Sequence, residues 1–331
     1  MTELVATTPG LYPLPDWAKD ELSDLKGHQK TDLISGEEGG AIAETYEQVR
    51  AELIELQQSA GLDRIGEGQA RWDDNLAHPL AVHENVETRG IVRYYDNNNF
   101  YREPVVTGEL TADGDVAAEL AAAAEQTDDL QAVLPGPYTL AELATDEHYG
   151  TEAEFLEAVA EFLATEAAEF PAHETLLLAE PSLVTNPPGD GLDAQVSEAV
   201  DAVAGAVDSD VVVQPFYGAL EEKVYAHLLD ADVEAVGFDL VSDHETNVYN
   251  AQEYGTTDSV GLGVVDGQNT LVEEPETVRE RFDWFDEQVP ASTFERAYLT
   301  SNTELFYLPV NKATEKLETL ATAADLEEVE A

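Results

Sequence analysis

Short apolar runs alternate along the chain with longer segments in which apolar residues recur every three or four positions. The longer spacing is that of an amphipathic helix face. It predicts helices over residues 42–56, 156–167, 219–229 and 312–323. Gly61 ends the first of these, and Pro171 follows the second, as expected for residues that stop helices.

The short apolar runs have the length of strands, and several are hydrophobic throughout, as in parallel strands buried on both faces. Eight of them separated mostly by helical segments predict an α/β fold, a single (β/α)₈ barrel. A doubly wound open sheet also fits, since periodicity alone does not close a barrel. The eight predicted strands are Leu4–Ala6, Leu62–Gly66, Ala132–Leu134, Leu176–Ala179, Val211–Val213, Ala235–Asp239, Gly261–Val265 and Ala297–Thr300.

One region departs from this alternation. Residues 91–95 and 104–110 both have extended character and flank the turn-forming cluster of Asp96 and three asparagines. This pattern predicts a β-hairpin inserted after the second barrel strand. The sequence has no repeat at a fixed period. It also has no linker rich in Gly, Pro or Ser that would separate two domains. We therefore expect one barrel domain over residues 1–323 and a frayed acidic tail over 324–331.

The charge balance changes the picture of the surface. Seventy acidic and fifteen basic residues give a net charge of −55, and the acids are spread along the whole chain. Such charge repels itself at ordinary ionic strength but is screened at molar salt, where the Debye length is about 3 Å. The composition therefore predicts a halophilic, haloarchaeal protein. Nucleic-acid binding is not expected, because clusters of Lys and Arg are missing from the sequence.

Two further features limit the functions that the chain can have. The chain has no cysteine, which excludes disulfides, thiolate nucleophiles and cysteine-ligated zinc within it. No apolar run approaches the roughly 18 residues of a membrane span, and the N-terminus has no basic region followed by an apolar stretch. These observations predict a soluble, cytoplasmic protein without a membrane partner.

Polar residues follow nearly every predicted strand, where a barrel places its active site. Each carboxylate taken alone fits a solvated surface or a helix cap equally well, but amides and glycines recur at the same position in successive units. Arg71 is scarce in so acidic a chain and indicates a ligand or a network residue; its neighbour Trp72 fits the core equally well. The residues concerned include Arg71, Trp72, Asp73, Glu180, Gln214, Asp239, Asp266, Asn269 and Asn302.

The seven histidines lack the spacing of a metal site. His78 and His83 fall in a predicted loop, where we expect a solvated role. The glycines at 261 and 263 are not followed by a third glycine before a helix, so dinucleotide binding is not supported.

Several strand-end segments together resemble the cobalamin-independent methionine synthase family, the 5-methyltetrahydropteroyltriglutamate–homocysteine methyltransferases. The resemblance covers most of the chain and keeps the family's order. The matching segments are 68–74 (GQARWDD), 94–101 (YYDNNNFY) with Pro104, 136–140 (GPYTL), 180–183 (EPSL), 262–269 (LGVVDGQN) and 301–305 (SNTEL) with 308–310 (LPV).

The resemblance implies two related barrels, one of which holds a zinc that activates the homocysteine thiol. The zinc ligands of that barrel fall near Gln214, Phe216, Asp239 and Glu304 here, so none is a thiolate. Ala179 stands where the family has an aspartate that contacts the amino-acid substrate. The chain is therefore similar to the zinc-less N-terminal barrel, and no metal or directly bound cofactor is expected.

The resemblance also implies a function in methionine biosynthesis. We expect a methyltransferase that binds a methyltetrahydrofolate-type donor and acts with a separate zinc-containing barrel. In this interpretation Arg71 pairs with a donor carboxylate, and Trp72, Phe100 or Tyr101 stacks on the pterin. Hydrogen bonds come from Asn98, Glu180, Asp266 and Asn269. The alternatives are a non-catalytic structural subunit, a methyltransferase with a corrinoid donor, and a decarboxylase of the wider superfamily; the catalytic residues stay unknown.

Overall fold

Eight parallel strands form one continuous sheet in the computed structural model, which describes residues 2–22, 39–72, 76–93, 100–289 and 293–326. Three further strands, β3, β4 and β6, lie outside this sheet. The eight are β1 (Glu3–Ala6), β2 (Ile65–Gly66), β5 (Leu130–Pro135), β7 (Thr175–Ala179), β8 (Asp210–Gln214), β9 (Ala235–Asp239), β10 (Ser259–Val265) and β11 (Arg296–Ser301).

The strands pair in the order β1-β11-β10-β9-β8-β7-β5-β2, so neighbours in the chain are neighbours in the sheet. Backbone contacts join the two terminal strands: the carbonyl oxygen of Ala6 accepts hydrogen bonds from the N–H groups of Asp63 (3.0 Å) and Arg64 (3.3 Å). The amide of Ala6 in turn donates to the Asp63 carboxylate at 2.7 Å. The predicted (β/α)₈ barrel is confirmed, with all eight predicted strands present.

The helices of the described residues surround the sheet. The main hydrophobic core lies between the barrel strands and these helices. The helices are α1 (Asp16–Leu22), α2 (Gly40–Ala60), α3 (His78–Ala81), α4 (Asp115–Ala124), α5 (Pro137–Glu142), α6 (Glu152–Ala167), α7 (Ser182–Thr185), α8 (Leu192–Ala204), α9 (Glu222–Leu228), α10 (His244–Tyr254), α11 (Pro275–Gln288) and α12 (Val310–Asp325).

Local chemistry sets the ends of these helices. Gly61 closes α2 in the left-handed conformation (φ 89°), which a residue without a β-carbon adopts at little cost. Thr151 caps the start of α6, because its hydroxyl accepts from the amide of Glu154. The same hydroxyl donates to the Glu154 carboxylate. The four helices predicted from apolar spacing are all present. The last, predicted to end at residue 323, runs on to Asp325, and residues 327–331 lie outside the described part of the chain.

The predicted hairpin is confirmed between the second and third barrel strands. It consists of β3 (Val86–Arg93) and β4 (Phe100–Val106), which pair antiparallel from Val86 opposite Val106 to Arg93 opposite Phe100. Its turn, residues 94–99, lies outside the described residues. A two-residue strand, β6 (Thr145–Asp146), extends the hairpin to a three-stranded sheet that the apolar pattern did not predict.

The second barrel strand is shorter than the predicted residues 62–66. Leu62 still donates its amide to the carbonyl of Gln57 at the end of α2, and the next two amides close the barrel on Ala6. These three backbone amides are therefore used outside the ladder that the second strand forms with β5, and the strand itself is reduced to Ile65–Gly66. No helix in the described ranges is long and apolar enough to span a membrane.

Candidate functional site at the barrel mouth

The loops that follow the barrel strands form the mouth of the barrel, where strain is concentrated. Three described residues other than glycine have positive φ angles: Leu11 (44°), Gln69 (52°) and Tyr217 (71°). They lie in the loops after β1, β2 and β8. Because non-glycine residues in this region cost free energy, such strain often marks a functional surface.

A hydrogen-bonded group of side chains joins the ends of β9 and β11. The Asp239 carboxylate accepts from the amides of Val241 (3.1 Å) and Ser242 (2.8 Å), and the Asn302 amide nitrogen lies 3.3 Å from its other oxygen. Asn302 also accepts from the amide of Gly267 at 2.9 Å. We call Asp239, Ser242, Asn302 and Gly267 the mouth network. Asp239 and Asn302 are buried. Burial raises the pKa of Asp239, against the lowering effect of its donors.

Gln214, at the end of β8, carries an unsatisfied acceptor. Its amide nitrogen donates to the carbonyl of Pro215 at 3.1 Å, and its Oε1 has no hydrogen-bond partner among the described residues. The side chain is fully buried and lies against Gly237 and Gly261. A β-carbon at Gly261 would come within 3.0 Å of Oε1, so these glycines leave the amide its room. A buried acceptor without a donor is costly, and a ligand or water would satisfy it.

Apolar side chains cover this end of the barrel. Tyr101 reaches it from the inserted hairpin and is buried against strand-end residues. Tyr101 belongs to one compact cluster, separate from the main core, which we call the rim cluster. Its members are Leu76, Ala77, Tyr101, Val133, Leu143, Leu177, Ala179 and Phe216.

Glu180 follows β7, and its carboxylate is hydrogen-bonded to the start of helix α5 in the preceding βα unit. Its carboxylate accepts from the amides of Tyr138 (3.0 Å) and Thr139 (2.8 Å), the first turn of α5. A β-carbon on Gly136 would overlap this carboxylate. Burial raises the pKa of Glu180 to about 7, although these donors favour the charged form. The site residue predicted here thus caps a helix.

Arg71 and Trp72 belong to a buried cluster behind the loop after β2. Arg71 forms an ion pair at 2.9 Å with Asp115, the first residue of α4, and the His78 ring lies 3.0 Å from the other Asp115 oxygen. Trp72 stacks on His78 with ring centroids 4.7 Å apart. Burial alone would raise the pKa of Asp115, but His78 and Arg71 lower it. Arg71 is therefore a network residue, one of the two interpretations that its scarcity indicated.

The expectation that His78 and His83 are solvated is wrong. Both are buried, and the Nε2 atom of His83 lies 3.0 Å from the backbone amide of Thr111. The polar sequence of this loop did not predict the burial, because the hairpin and α4, which pack over the loop, come from other parts of the chain. The sequence also gave no sign that Glu67 and Asp115 join the same buried cluster. Burial, followed by the nearby charge of Glu119, raises the pKa of Glu67 to about 8.

The remaining predicted residues are dispersed. Asp266 and Asn269 lie in the loop after β10, where their side chains accept from the amides of Gln268 (2.9 Å) and Leu271 (3.0 Å). They thus stabilise the turn in which they occur. Asp73 and Asn98 lie outside the described residues. The structure brings Asp239 and Asn302 into contact and places Gln214 and Tyr101 at the same end of the barrel.

The residues at the family's zinc positions do not fit the metal. Gln214 and Phe216 offer a neutral amide and a hydrocarbon ring, and Asp239 is engaged by backbone amides and Asn302. The fourth position, Glu304, offers one buried carboxylate, which does not make a zinc site by itself. Zinc sites need histidine, thiolate or free carboxylate ligands in tetrahedral array. Within the described ranges, no three His, Cys, Asp or Glu residues group closely enough to hold an ion.

The geometry defines a (β/α)₈ barrel with a polar network at its carboxyl end and an inserted hairpin beside it. The family model described as the N-terminal domain of cobalamin-independent synthase matches residues 83–289, more than half of the chain. The chain belongs to the cobalamin-independent methionine synthase family.

Named relatives agree with this assignment. A methionine synthase of Sulfolobus acidocaldarius is 22% identical over 85% of this chain and 80% of its own length. That of Saccharolobus solfataricus is 25% identical over 83% of this chain and 81% of its own. A solved B12-independent methionine synthase from a Shewanella species, in complex with selenomethionine, superposes with a TM-score of 0.80. It is 18% identical and covers 98% of this chain and 97% of its own, so it supports the fold.

Proposed function

We propose that this chain is the methyl-donor component of a two-chain methionine synthase, which binds a methylfolate-type donor at the barrel mouth. A separately encoded zinc-containing barrel activates the homocysteine thiol. The observation that carries the proposal is the group formed by Gln214, Asp239 and Asn302. Gln214 and Asp239 stand where the resemblance places metal ligands and offer hydrogen-bonding groups there, and Asn302 donates to Asp239 at the end of the barrel where ligands bind.

The chemistry of the mouth suits a flat heterocycle that presents N–H donors. Oε1 of Gln214 is a buried acceptor to which no described residue donates, and Asp239 supplies a carboxylate one strand away. Tyr101 and Phe216 of the rim cluster offer aromatic surfaces on which a ring can stack. A pterin has an amino group and a ring N–H on one edge, which match acceptors of this kind. A few convergent polar groups within apolar walls are typical of small-molecule sites.

The structure changes the roles first expected for two residues. Arg71 is committed to Asp115, and Glu180 is committed to the start of α5. We therefore assign donor recognition to Gln214, Asp239 and Tyr101, and we give Arg71 and Glu180 the role of holding the mouth loops in place. The methyl group itself passes to a thiolate that the partner chain would activate, since this chain has no cysteine and the described residues include no group of ligands that could hold zinc.

A second candidate function rests on the same contacts. The rim cluster is packed, Arg71 is paired with Asp115, and Glu180 accepts from two backbone amides. These features are also expected of a barrel that serves only as a structural subunit of the zinc enzyme. The two candidates differ in one property, the binding of the methyl donor by this chain.

The deciding experiment is reconstitution in molar KCl. Methionine formation from methyltetrahydrofolate and homocysteine is measured with this chain, with a zinc-barrel partner, and with both. The proposal expects activity only with both chains. Full activity of the partner alone would support the structural subunit, and activity of this chain alone would contradict the argument from the zinc positions.

Donor binding is then tested directly by calorimetry on this chain. Gln214→Met removes the buried acceptor at nearly constant length and is expected to weaken binding of methyltetrahydrofolate by about tenfold or more, the effect of one lost hydrogen bond to a buried group. Gln195→Met, on α8 outside the barrel, is the matched control and should leave binding unchanged. Equal binding by both variants, or no binding by the unaltered chain, would rule out the donor site.

A further inference from the structure

The strand β3 forms an exposed edge of the hairpin sheet. The sheet order is β3-β4-β6, and within the described residues β3 pairs with β4 alone. Residues 87–91 and 93 are exposed, and the Ile91 side chain reaches 71% exposure. The opposite edge, β6, has only two residues. Long exposed edge strands are unusual in monomers because their free backbone groups accept another strand.

The pairing of β3 with β4 is also interrupted. Thr88 lies opposite Pro104 and Ile91 opposite Arg102, so Arg89 and Gly90 together face a single position of β4. This is a β-bulge, in which the extra residue leaves the ladder and its backbone groups stay unpaired. A β-carbon built on Gly90 meets no heavy atom within 4 Å. No described residue therefore packs against the face of β3 to which that β-carbon would point.

The charge of the hairpin differs from that of the rest of the molecule. Residues 86–106 contain three arginines and three acidic residues and are neutral, in a chain with a net charge of −55. Three of the fifteen basic residues of the chain thus lie in this one segment. Two copies that meet at this segment therefore bring together two neutral stretches of chain, in a protein whose other segments carry the net negative charge.

We propose that two copies of this chain pair through β3, antiparallel and about a two-fold axis at Gly90. A closed dimer of this kind uses the same surface of both copies. Centring the pairing on Gly90 places Glu87 opposite Arg93 of the second copy, twice per dimer, and Arg89 opposite Ile91. A centre at Arg89 or Ile91 instead places arginines opposite each other, so charge selects one register.

This interface uses β3, whereas the proposed donor site uses the barrel mouth, to which the neighbouring strand β4 contributes Tyr101. A contact of about eight residues per copy falls at the low end of specific interfaces, below about 1,200 Å². The dimer is therefore expected to be weak and concentration-dependent. Its formation increases with KCl, because salt screens the repulsion between two strongly negative molecules.

Sedimentation equilibrium in molar KCl, over micromolar to millimolar protein, tests the proposal. The unaltered chain should associate to a dimer and no further. Glu87→Arg and Arg93→Glu each place like charges opposite one another and should weaken association at least about tenfold. An equimolar mixture of the two variants restores both opposite-charge pairs, so a mixed dimer should form, detected by labelling one variant. Glu157→Arg, an exposed position on α6, is the control that should not change association.

The melting temperature of each variant verifies that the barrel remains folded. A chain that stays monomeric at every concentration overturns the proposal, as does a dimer that both charge reversals leave intact. Failure of the two variants to associate when mixed also overturns it. A monomer that gains mass only with the zinc-barrel chain would assign the β3 edge to that chain instead.

Discussion

The side-chain amide of Asn302 lies 3.3 Å from a carboxylate oxygen of Asp239, although 63 positions separate the two residues in the chain. The same Asn302 side chain accepts from the amide of Gly267 and lies 3.2 Å from the Ser242 hydroxyl. One amide thus joins the loops after three barrel strands. Its two ends have different functions, because the nitrogen donates to a carboxylate and the oxygen accepts from a backbone N–H.

Asn302→Asp keeps the shape of this side chain but removes its donor. The new carboxylate faces that of Asp239, and buried like charges repel. We expect a loss of about 2–4 kcal/mol in the free energy of unfolding at neutral pH, reduced in mild acid where one carboxyl is protonated. Denaturant unfolding in molar KCl measures it. Asn269→Asp, in an exposed turn where only the side-chain oxygen is used, is the matched control. Equal stability of both variants would contradict the network.

Gly136→Ala should disturb the contact between Glu180 and α5. The added methyl group overlaps the Glu180 carboxyl, so the carboxylate must leave the amides of Tyr138 and Thr139. An overpacked core position costs about 1–3 kcal/mol. Gly189→Ala, whose β-carbon would meet nothing within 4 Å, should cost much less. Thermal unfolding of both variants tests this, and a combined change with Glu180→Ala should be less than additive, because the overlap is then removed.

Glu67 makes stability fall with rising pH. Its folded pKa, raised to about 8, exceeds its ordinary value near 4.5. The contribution of protonated Glu67 to the free energy of unfolding is therefore complete below the ordinary pKa and is lost as pH rises through about 8. Glu67→Gln imitates the protonated acid. It should match the unaltered protein in mild acid and exceed its stability above pH 8 by on the order of 2 kcal/mol. Melting temperatures measured from mild acid to above pH 8 test this prediction, with the exposed variant Glu157→Gln as the control. Parallel curves for all three proteins would be the contrary result.

Stability should increase steeply with KCl. At molar concentration the Debye length is about 3 Å, which screens repulsion among the seventy acidic residues. Buried pairs such as Arg71 with Asp115, at 2.9 Å, are screened much less. Melting temperature is therefore expected to increase with KCl more than with sucrose at equal osmolality, since sucrose stabilises by exclusion without screening. A response to sucrose as large as that to KCl would count against charge repulsion as the cause.

Several residues of the candidate site could be predicted from the sequence, but the residues that each of them contacts could not. Asp239 and Asn302 were predicted because each follows a buried strand, and parallel strands end at one face. That they contact each other depends on the register of β9, β10 and β11, which an apolar pattern does not specify. Arg71 and Glu180 lie at strand ends as well, yet the neighbouring units supply Asp115 and the first turn of α5 as their partners. The roles proposed at the barrel mouth, the halophilic origin and the cytoplasmic location stay predictions.

The sequence by itself determined the strands and helices of the fold, and the tertiary structure decided that the sheet closes between Ala6 and Asp63. Strands, helices and the inserted hairpin can be predicted from local patterns. The spacing of apolar residues within a short segment indicates whether a strand is buried on both faces or a helix on one stripe. The tertiary structure decided which polar groups are satisfied. It buried His78 and His83, for which the loop sequence had predicted a solvated role, and it gave the Gln214 oxygen no partner among the described residues. It also left β3 at an open edge of its sheet. These outcomes depend on what packs against each group, and those neighbours come from distant parts of the chain.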